Sequence, residues 1–323
     1  MTALKIKTFR AGQEAAIAHI HNIANAQWAE RLDPCFRCRP FTPENITRTP
    51  DGTPNTITIA YLEDQPAGYA SASFKHQDGF PALHFDISHP NWGQSRIAVL
   101  PEFQGQGIAT KLIQEMLDDF QAQGGAVAIA WAYNFNAPAC ALFTKTGFIH
   151  QPLFYYPPYS DQEPWGFDSV FAQIDLTRSL KSLPLVPDLT IRAPEPGDME
   201  AFIDLYRRSA PFAFGLQPTH QQIKEWLSDP NSAAILVGEF EGKLIGVMEY
   251  FHDSVIGIPG ILPEYRNRGF GTTLFYHLLQ HMKNNGHSKA IGDTGIIQKE
   301  MLRLYRRFGF DLSQRLFNWV KVL

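Results

Sequence analysis

The chain repeats itself, and a fold that must serve two similar copies is more constrained than one of 323 residues at large. Val99-Leu-Pro-Glu-Phe-Gln-Gly-Gln-Gly-Ile-Ala-Thr110 lies over Ile261-Leu-Pro-Glu-Tyr-Arg-Asn-Arg-Gly-Phe-Gly-Thr272 at an offset of 162, with seven of the twelve pairs identical or conservatively matched. Thr146-Gly147-Phe148 and Phe308-Gly309-Phe310 follow at the same offset; Gly147 and Gly309 stand 43 residues beyond Gln104 and Arg266. Upstream, Leu4–Lys7 resembles Leu189–Arg192 and Gly12 falls on Gly197, but there the offset is 185, so the first copy carries 23 extra residues. The Pro-rich stretch Pro34–Pro54 and the segment Lys75–Trp92 are the places for them. Pro184, Pro187, Pro194 and Pro196 interrupt regular structure between the copies. The boundary is therefore expected near residue 186, with domains 1–186 and 187–323.

A composition of 44% hydrophobic and 13% aromatic residues can bury a sizeable core, which excludes a disordered or collagenous chain. Twenty-eight basic against 32 acidic side chains leave a net charge of −4 and no broad footprint for nucleic acid or anionic lipid. Any phosphate must be gripped locally. The longest apolar runs, such as Ala126–Ala132, fall short of the ~18–20 residues a membrane span needs. Met1–Arg10 lacks a secretory apolar stretch and three cysteines form no disulfide framework, so a cytoplasmic protein is expected. Cys35-Phe-Arg-Cys38 has zinc-like spacing, but no second pair of ligands follows and no metal is expected. Cys140 reads as a small buried apolar residue.

Within each copy the order is strand, helix, several strands, helix, strand, helix and closing strands. Ile6–Phe9 and Thr190–Ala193 open the copies, with helices around Glu14–Gln27 and Met199–Arg208. Thr56–Leu62 with Ala67–Phe74, and Ala234–Phe240 with Lys243–Phe251, read as strand pairs. The tract Phe154–Pro164 reads as a wrapping loop before a strand at Val170–Leu176, either covering a site or tucking aromatics beneath the surface. This mixed order predicts an α/β or α+β sheet rather than a bundle or sandwich.

After each Leu-Pro-Glu comes a glycine-bearing polar turn and then an apolar stripe at helical spacing: Ile108, Leu112, Ile113, Met116, Leu117 and Phe120, or Phe270, Leu274, Phe275, Leu278, Leu279 and Met282. Glycine lets the backbone approach a ligand, and the first N–H groups of a helix carry partial positive charge. The turn is thus an anion site suited to a diphosphate. It lacks the Gly-Lys-Ser/Thr of a nucleoside-triphosphate loop and the Gly-x-Gly-x-x-Gly of a nicotinamide site.

The pattern Gln/Arg-x-x-Gly-x-Gly/Ala, present as Gln104, Gly107 and Ala109 and again as Arg266, Gly269 and Gly271, resembles the acetyl-coenzyme A loop of the GNAT superfamily of N-acetyltransferases. The resemblance implies two tandem GNAT-like domains, each a mixed, mostly antiparallel sheet flanked by helices, with acetyl-CoA as co-substrate. It places the cofactor on Val99, Gln104, Gly105, Gln106, Gly107, Ile108, Ala109 and Thr110 in the first copy. In the second it uses Ile261, Arg266, Asn267, Arg268, Gly269, Phe270, Gly271 and Thr272. The pantetheine arm would lie in a splay between Ser95–Val99 and Val127–Trp131, or between Val255–Ile261 and Lys289–Asp293.

The family's proton donor is a tyrosine four residues before Gly-Phe; here that position is Tyr305 in the second copy and Phe143, which has no proton to give, in the first. The other reading of Tyr305 is a packed core tyrosine. The family's asparagine seven residues earlier is Asn136 in the first copy and Gln298 in the second. Arg303, Arg306 and Arg307, where the first copy offers Lys145, either help hold phosphates or form a solvated face. For the base, Glu249, His252 and Asp253 are candidates beside a water chain, since the family's nearest position is Val255; His84, Asp86 and His89 are similar in the first copy.

The expectation is an N-acetyltransferase that moves acetyl to a primary amine of a small molecule or peptide, with Tyr305 and either Asp253 or Glu249 as catalytic residues of the second copy. The alternative is an acyl-CoA-binding regulatory protein without turnover. Substituting Tyr305 separates the two.

Overall fold

The computed structural model describes residues 4–26, 40–43, 55–77, 80–86, 97–155, 166–209, 219–257 and 260–323. Cys35, Cys38, His89, Ser95, nearly all of Pro34–Pro54 and most of the tract at 154–164 lie outside the described residues.

The first copy runs β1 (Leu4–Thr8), α1 (Glu14–Ala26), β2 (Asn55–Leu62), β3 (Gln65–Gln77), β4 (Phe80–Asp86), β5 (Ile97–Val99), α2 (Ile108–Ala122), β6 (Val127–Tyr133), α3 (Ala137–Lys145), β7 (Ile149–His150), β8 (Leu153–Phe154), β9 (Gly166–Phe167) and β10 (Ser169–Asp175). The second runs β11 (Thr190–Arg192), α4 (Met199–Ser209), α5 (His220–Leu227), β12 (Ser232–Phe240), β13 (Lys243–Phe251), β14 (Val255–Ile256), β15 (Gly260–Ile261), α6 (Phe270–Asn284), β16 (Lys289–Gly295), α7 (Lys299–Phe308) and β17 (Asp311–Val322). The architecture is the expected mixed one: sheets with mostly antiparallel pairing, flanked by helices.

Contacts divide the chain into two compact units, one of Met1–Ser169, Gly295–Ile297 and Gln314–Leu323, the other of Val170–Thr294 and Gln298–Ser313. The boundary expected near residue 186 is one of sequence repeat, whereas the units are drawn by packing and divide after Ser169, so that each includes a strand that the repeat assigns to the other copy. In the first unit the strand order is β1-β2-β3-β4-β6-β17, with β5 on β3 and β7 on β17. In the second it is β10-β16-β14-β13-β12-β11, with β15 on β13.

The amphipathic stripes do what their spacing predicts. The six apolar residues of α2 and the six of α6 named above are all buried. They pack on one face of their sheets, α2 together with Phe143 and Phe148, α6 together with Tyr305 and Phe308. The opposite faces are covered by Ile17 and Ile20 of α1 and by Phe202, Leu205 and Ile223 of α4 and α5. Each such side chain, fully buried, contributes ~1.5–3 kcal/mol of transfer free energy.

Strand register locates the first copy's insertions. Ile6 pairs with Ala60 and Ile191 with Gly238, so the offset drops from 185 to 178 between the opening strand and the next. The β2–β3 pair Ile57↔Ser71 and the β12–β13 pair Ile235↔Glu249 keep 178, down to a shared irregularity after Ala60 and Gly238. Gly68↔Val99 and Gly246↔Ile261 then set 162. Both candidate stretches therefore hold extra residues, and the second lengthens the β3–β4 hairpin.

Candidate active site

The two glycine turns have the same backbone. Gln104 and Arg266 are extended, at φ −66° and −67° with ψ 159° in both. Gly105 and Asn267 follow at φ 76° and 60°, and Gly107 and Gly269 at 79° and 92°. The left-handed conformation at 107 and 269 is where glycine is needed. Gln104 Nε2 donates to the Val99 carbonyl and Arg266 Nε to the Ile261 carbonyl, each at 3.0 Å, so different side chains tie the turn to its strand in one way.

Each turn's last glycine is the N-cap of the following helix, α2 or α6, and supplies no side-chain cap. The first helical bonds come from Lys111 to Gly107 O and from Thr273 to Gly269 O. The N–H groups of Ile108, Ala109 and Thr110, and of Phe270, Gly271 and Thr272, thus precede the helical ladder and stand ready for an external acceptor. A Cβ on Gly105 or Gly107 would meet nothing within 4 Å, so the first cradle is open. These features fit a diphosphate group.

The second cradle is more furnished. Arg307 Nη1 on α7 donates to Thr272 Oγ1 at 3.0 Å, which puts a guanidinium at the N-terminus of α6. Val186 N–H donates to Thr273 Oγ1 at 2.8 Å, and Val186 Cγ2 stands 3.2 Å from where a Cβ on Gly269 would be. Arg268 lies over the rings of Phe240, Tyr265 and Phe270 at 5.2–5.9 Å. Asn136 caps α3 by accepting the Ala139 N–H at 3.3 Å, whereas Gln298 accepts the Thr294 hydroxyl at 2.6 Å.

The splay is built differently from the sequence expectation. In the second copy the expected single strand 255–261 is two short pieces. Val255 and Ile256 pair in parallel with Ile291 and Gly292 of β16, after which Gly260 and Ile261 pair with β13 alone. Gly257 lies between, its N–H bonded to the Glu249 carbonyl at 2.8 Å. In the first copy the parallel partner of β6 is β4, from Ala82↔Val127 to Asp86↔Trp131, and not the segment ending at Val99, which pairs with β3. The lengthened β3–β4 hairpin supplies that strand, an effect invisible in a local motif.

Tyr305 and Glu249 flank the place where β14 and β16 part. Tyr305 is buried, its hydroxyl against the Gly292 backbone and its ring between Phe275 and Phe310. Burial, with the Asp293 charge second, raises its pKa and keeps the phenol protonated. Glu249 is 1% exposed and points away from that face, since its neighbours Met248 and Tyr250 pack with Tyr305. Its Oε2 accepts the Trp226 indole N–H at 2.6 Å, and among the described residues Oε1 has no hydrogen-bond partner. Burial raises its pKa against the opposing pull of Trp226. Its side chain lines Gly257, where Oε2 would stand 2.8 Å from a Cβ.

The other base candidates sit elsewhere. Asp253 and His252 are exposed in the turn before β14, and Asp253 Oδ1 accepts the Val255 N–H at 3.3 Å. The strand starts too late for Asp253 to share its face. His84 is buried and stacks on Trp131. The register exposes a residue that motif reading missed: Ser71, buried, stands in the first copy where Glu249 stands in the second. The first copy thus carries Ser71 and Phe143 at the positions of the carboxylate and the phenol. Among the described residues no cluster of three or more metal-binding side chains occurs, and no helix is long and apolar enough to cross a membrane.

The sequence model of the Acetyltransferase (GNAT) family matches residues 19–148 and 199–310. Mycothiol acetyltransferase of Acidothermus cellulolyticus is 23% identical over 278 residues, covering 77% of this chain and 74% of that protein. An uncharacterized N-acetyltransferase of Methanocaldococcus jannaschii is 22% identical over 153 residues, 43% of this chain and 68% of its own. A tandem GNAT protein from the clavulanic acid biosynthesis pathway superposes with a TM-score of 0.64 at 13% identity, over 99% of this chain and 98% of that one. A GCN5-related N-acetyltransferase from Sphaerobacter thermophilus does so at 0.61 and 16%, over 99% and 95%. At these identities the structural likeness is one of fold.

Proposed function

Since the chain belongs to the acetyltransferase (GNAT) family and is an N-acetyltransferase, we propose that its C-terminal copy, 187–323, moves acetyl to a primary amine of a small molecule or peptide, while its N-terminal copy, 1–186, holds acetyl-CoA without turnover. The carrying observation is the pair of positions at which the copies differ. Glu249 and Tyr305 flank the parted strands in one copy; Ser71 and Phe143 take their places in the other.

GNAT enzymes use acetyl-CoA, which when bound supplies an acetyl group as a thioester. On this reading the amides of Phe270, Gly271 and Thr272, with the helix dipole and Arg307, hold the diphosphate. The strand edge freed beyond Ile256 and Gly292 receives the pantetheine. Glu249 takes a proton from the incoming ammonium, because burial lifts its pKa toward that of a useful base. Tyr305, kept protonated by burial, gives a proton to the departing sulfur. This reading uses Glu249 and not Asp253, which is exposed in the turn before β14 with Oδ1 accepting the Val255 N–H.

The test is thiol release across a panel of primary amines for Tyr305→Phe and Glu249→Gln beside Phe143→Leu and Ser71→Ala. Loss confined to the first two supports the assignment. Wild-type turnover in both of them, or loss on changing the first copy alone, overturns it.

A further inference from the structure

Glu249 is held by a side chain from another element. Trp226 lies near the end of α5, its ring against Phe202 of α4 at 5.1 Å, and its Nε1–H donates to Glu249 Oε2 at 2.6 Å. Trp226 is half-buried, and its one N–H fixes one carboxylate oxygen while leaving the other unpartnered among the described residues. Besides Trp226, the Ser232 hydroxyl faces the carboxylate without hydrogen-bond geometry. Asp229, in the turn after α5, adds a like charge.

We infer that Trp226 is a positioning residue of the acetyl-transfer reaction: its indole N–H clamps Glu249 Oε2, so that Oε1 alone is left to take the amine proton. The inference rests on the reading of Glu249 as the base. It gives α5 a function beyond packing, since the helix holds the base as well as covering the sheet. An N–H donated to a carboxylate favours the ionised form, so the clamp also sets the pH at which the base becomes available, opposing burial and Asp229.

The experiment compares kcat/KM as a function of pH in the wild type, Trp226→Phe and Glu249→Gln, with acetyl-CoA and an amine that the wild type accepts. Phenylalanine keeps a ring on Phe202 and removes the donor together with part of the indole's bulk, which is why the pH limb and not the loss of activity is the readout. The expected result is a Trp226→Phe profile whose rising limb moves to higher pH, with a 3- to 10-fold loss on the plateau and an unchanged KM for acetyl-CoA. A packing role alone would lower activity or stability without moving the limb. In the wild type, the Trp226 indole proton resonance should titrate over the same range as kcat/KM, which tests the clamp even if the variant folds poorly. A dead Glu249→Gln beside an unshifted Trp226→Phe, or an indole proton that does not titrate, overturns this inference and leaves the base intact. A Glu249→Gln enzyme at the wild-type rate removes the base, and the clamp with it.

Discussion

The Tyr305 hydroxyl occupies the space that a Cβ on residue 292 would fill. Gly292 is the β16 partner of Ile256, the last β14 residue in register before the strands separate. A glycine here is a steric requirement of the phenol above it. Gly292→Ala should therefore push the ring out of place, lowering kcat and costing about 1–3 kcal/mol of stability by overpacking. In the Tyr305→Phe background the same change should take little more from kcat, because the group it displaces is already gone. Steady-state kinetics and thermal melts of the single and double variants check this; additive losses in kcat would separate Gly292 from Tyr305.

Tyr305→Phe on its own should leave folding intact. The ring keeps its contacts with Phe275 and Phe310 when the hydroxyl is removed. The turnover number should fall ~10²-fold or more, the usual worth of a positioned acid, with little change in KM. A wild-type kcat would return Tyr305 to the core-tyrosine reading.

Glu249→Gln should trade activity for stability. Burial raises the folded pKa above the unfolded value, so the native state binds the proton more tightly. Native stability then declines as pH rises from the ordinary carboxylate range through the raised folded value, and levels off above it. Glutamine cannot ionise and still accepts the Trp226 N–H. The variant should match the wild type in acid and exceed it near neutrality by on the order of 1 kcal/mol, while kcat/KM falls ~10²- to 10⁴-fold. Urea melts at the two pH values show the crossover, and a variant less stable at neutral pH would contradict it.

The turns and Tyr305 were legible in the sequence because nothing is inserted between Gln104 and Gly147 or between Arg266 and Gly309, so one offset of 162 carries every residue across. Ser71 was not. It lies upstream of the lengthened β3–β4 hairpin, where the offset is 178, and only strand pairing recovers its equivalence with Glu249. The break at Gly257 was hidden for a related reason: two short strands with different partners read as one apolar run from 255 to 261. Trp226 carries no motif, since its meaning lies in a contact with a strand 23 residues later.

The first copy's role can be tested without touching its core. Gly105 has φ 76°, and its counterpart Asn267 adopts φ 60° with a side chain in place. Asp and Asn enter this left-handed region most readily of the non-glycine residues, and a Cβ at 105 meets nothing within 4 Å. Gly105→Asp should therefore fold normally while placing a negative charge at the mouth of the first cradle. A like charge ~4 Å from a phosphate costs about 1–4 kcal/mol between aqueous and near-surface dielectric values, about fivefold or more in affinity. Calorimetric titration with acetyl-CoA should then show one tight site per chain in place of two, with turnover preserved. Asn267→Asp makes the complementary change at the second cradle and should raise the KM for acetyl-CoA about fivefold or more on the same estimate. If Gly105→Asp abolishes turnover and Asn267→Asp spares it, the catalytic assignment belongs to the N-terminal copy despite Ser71 and Phe143.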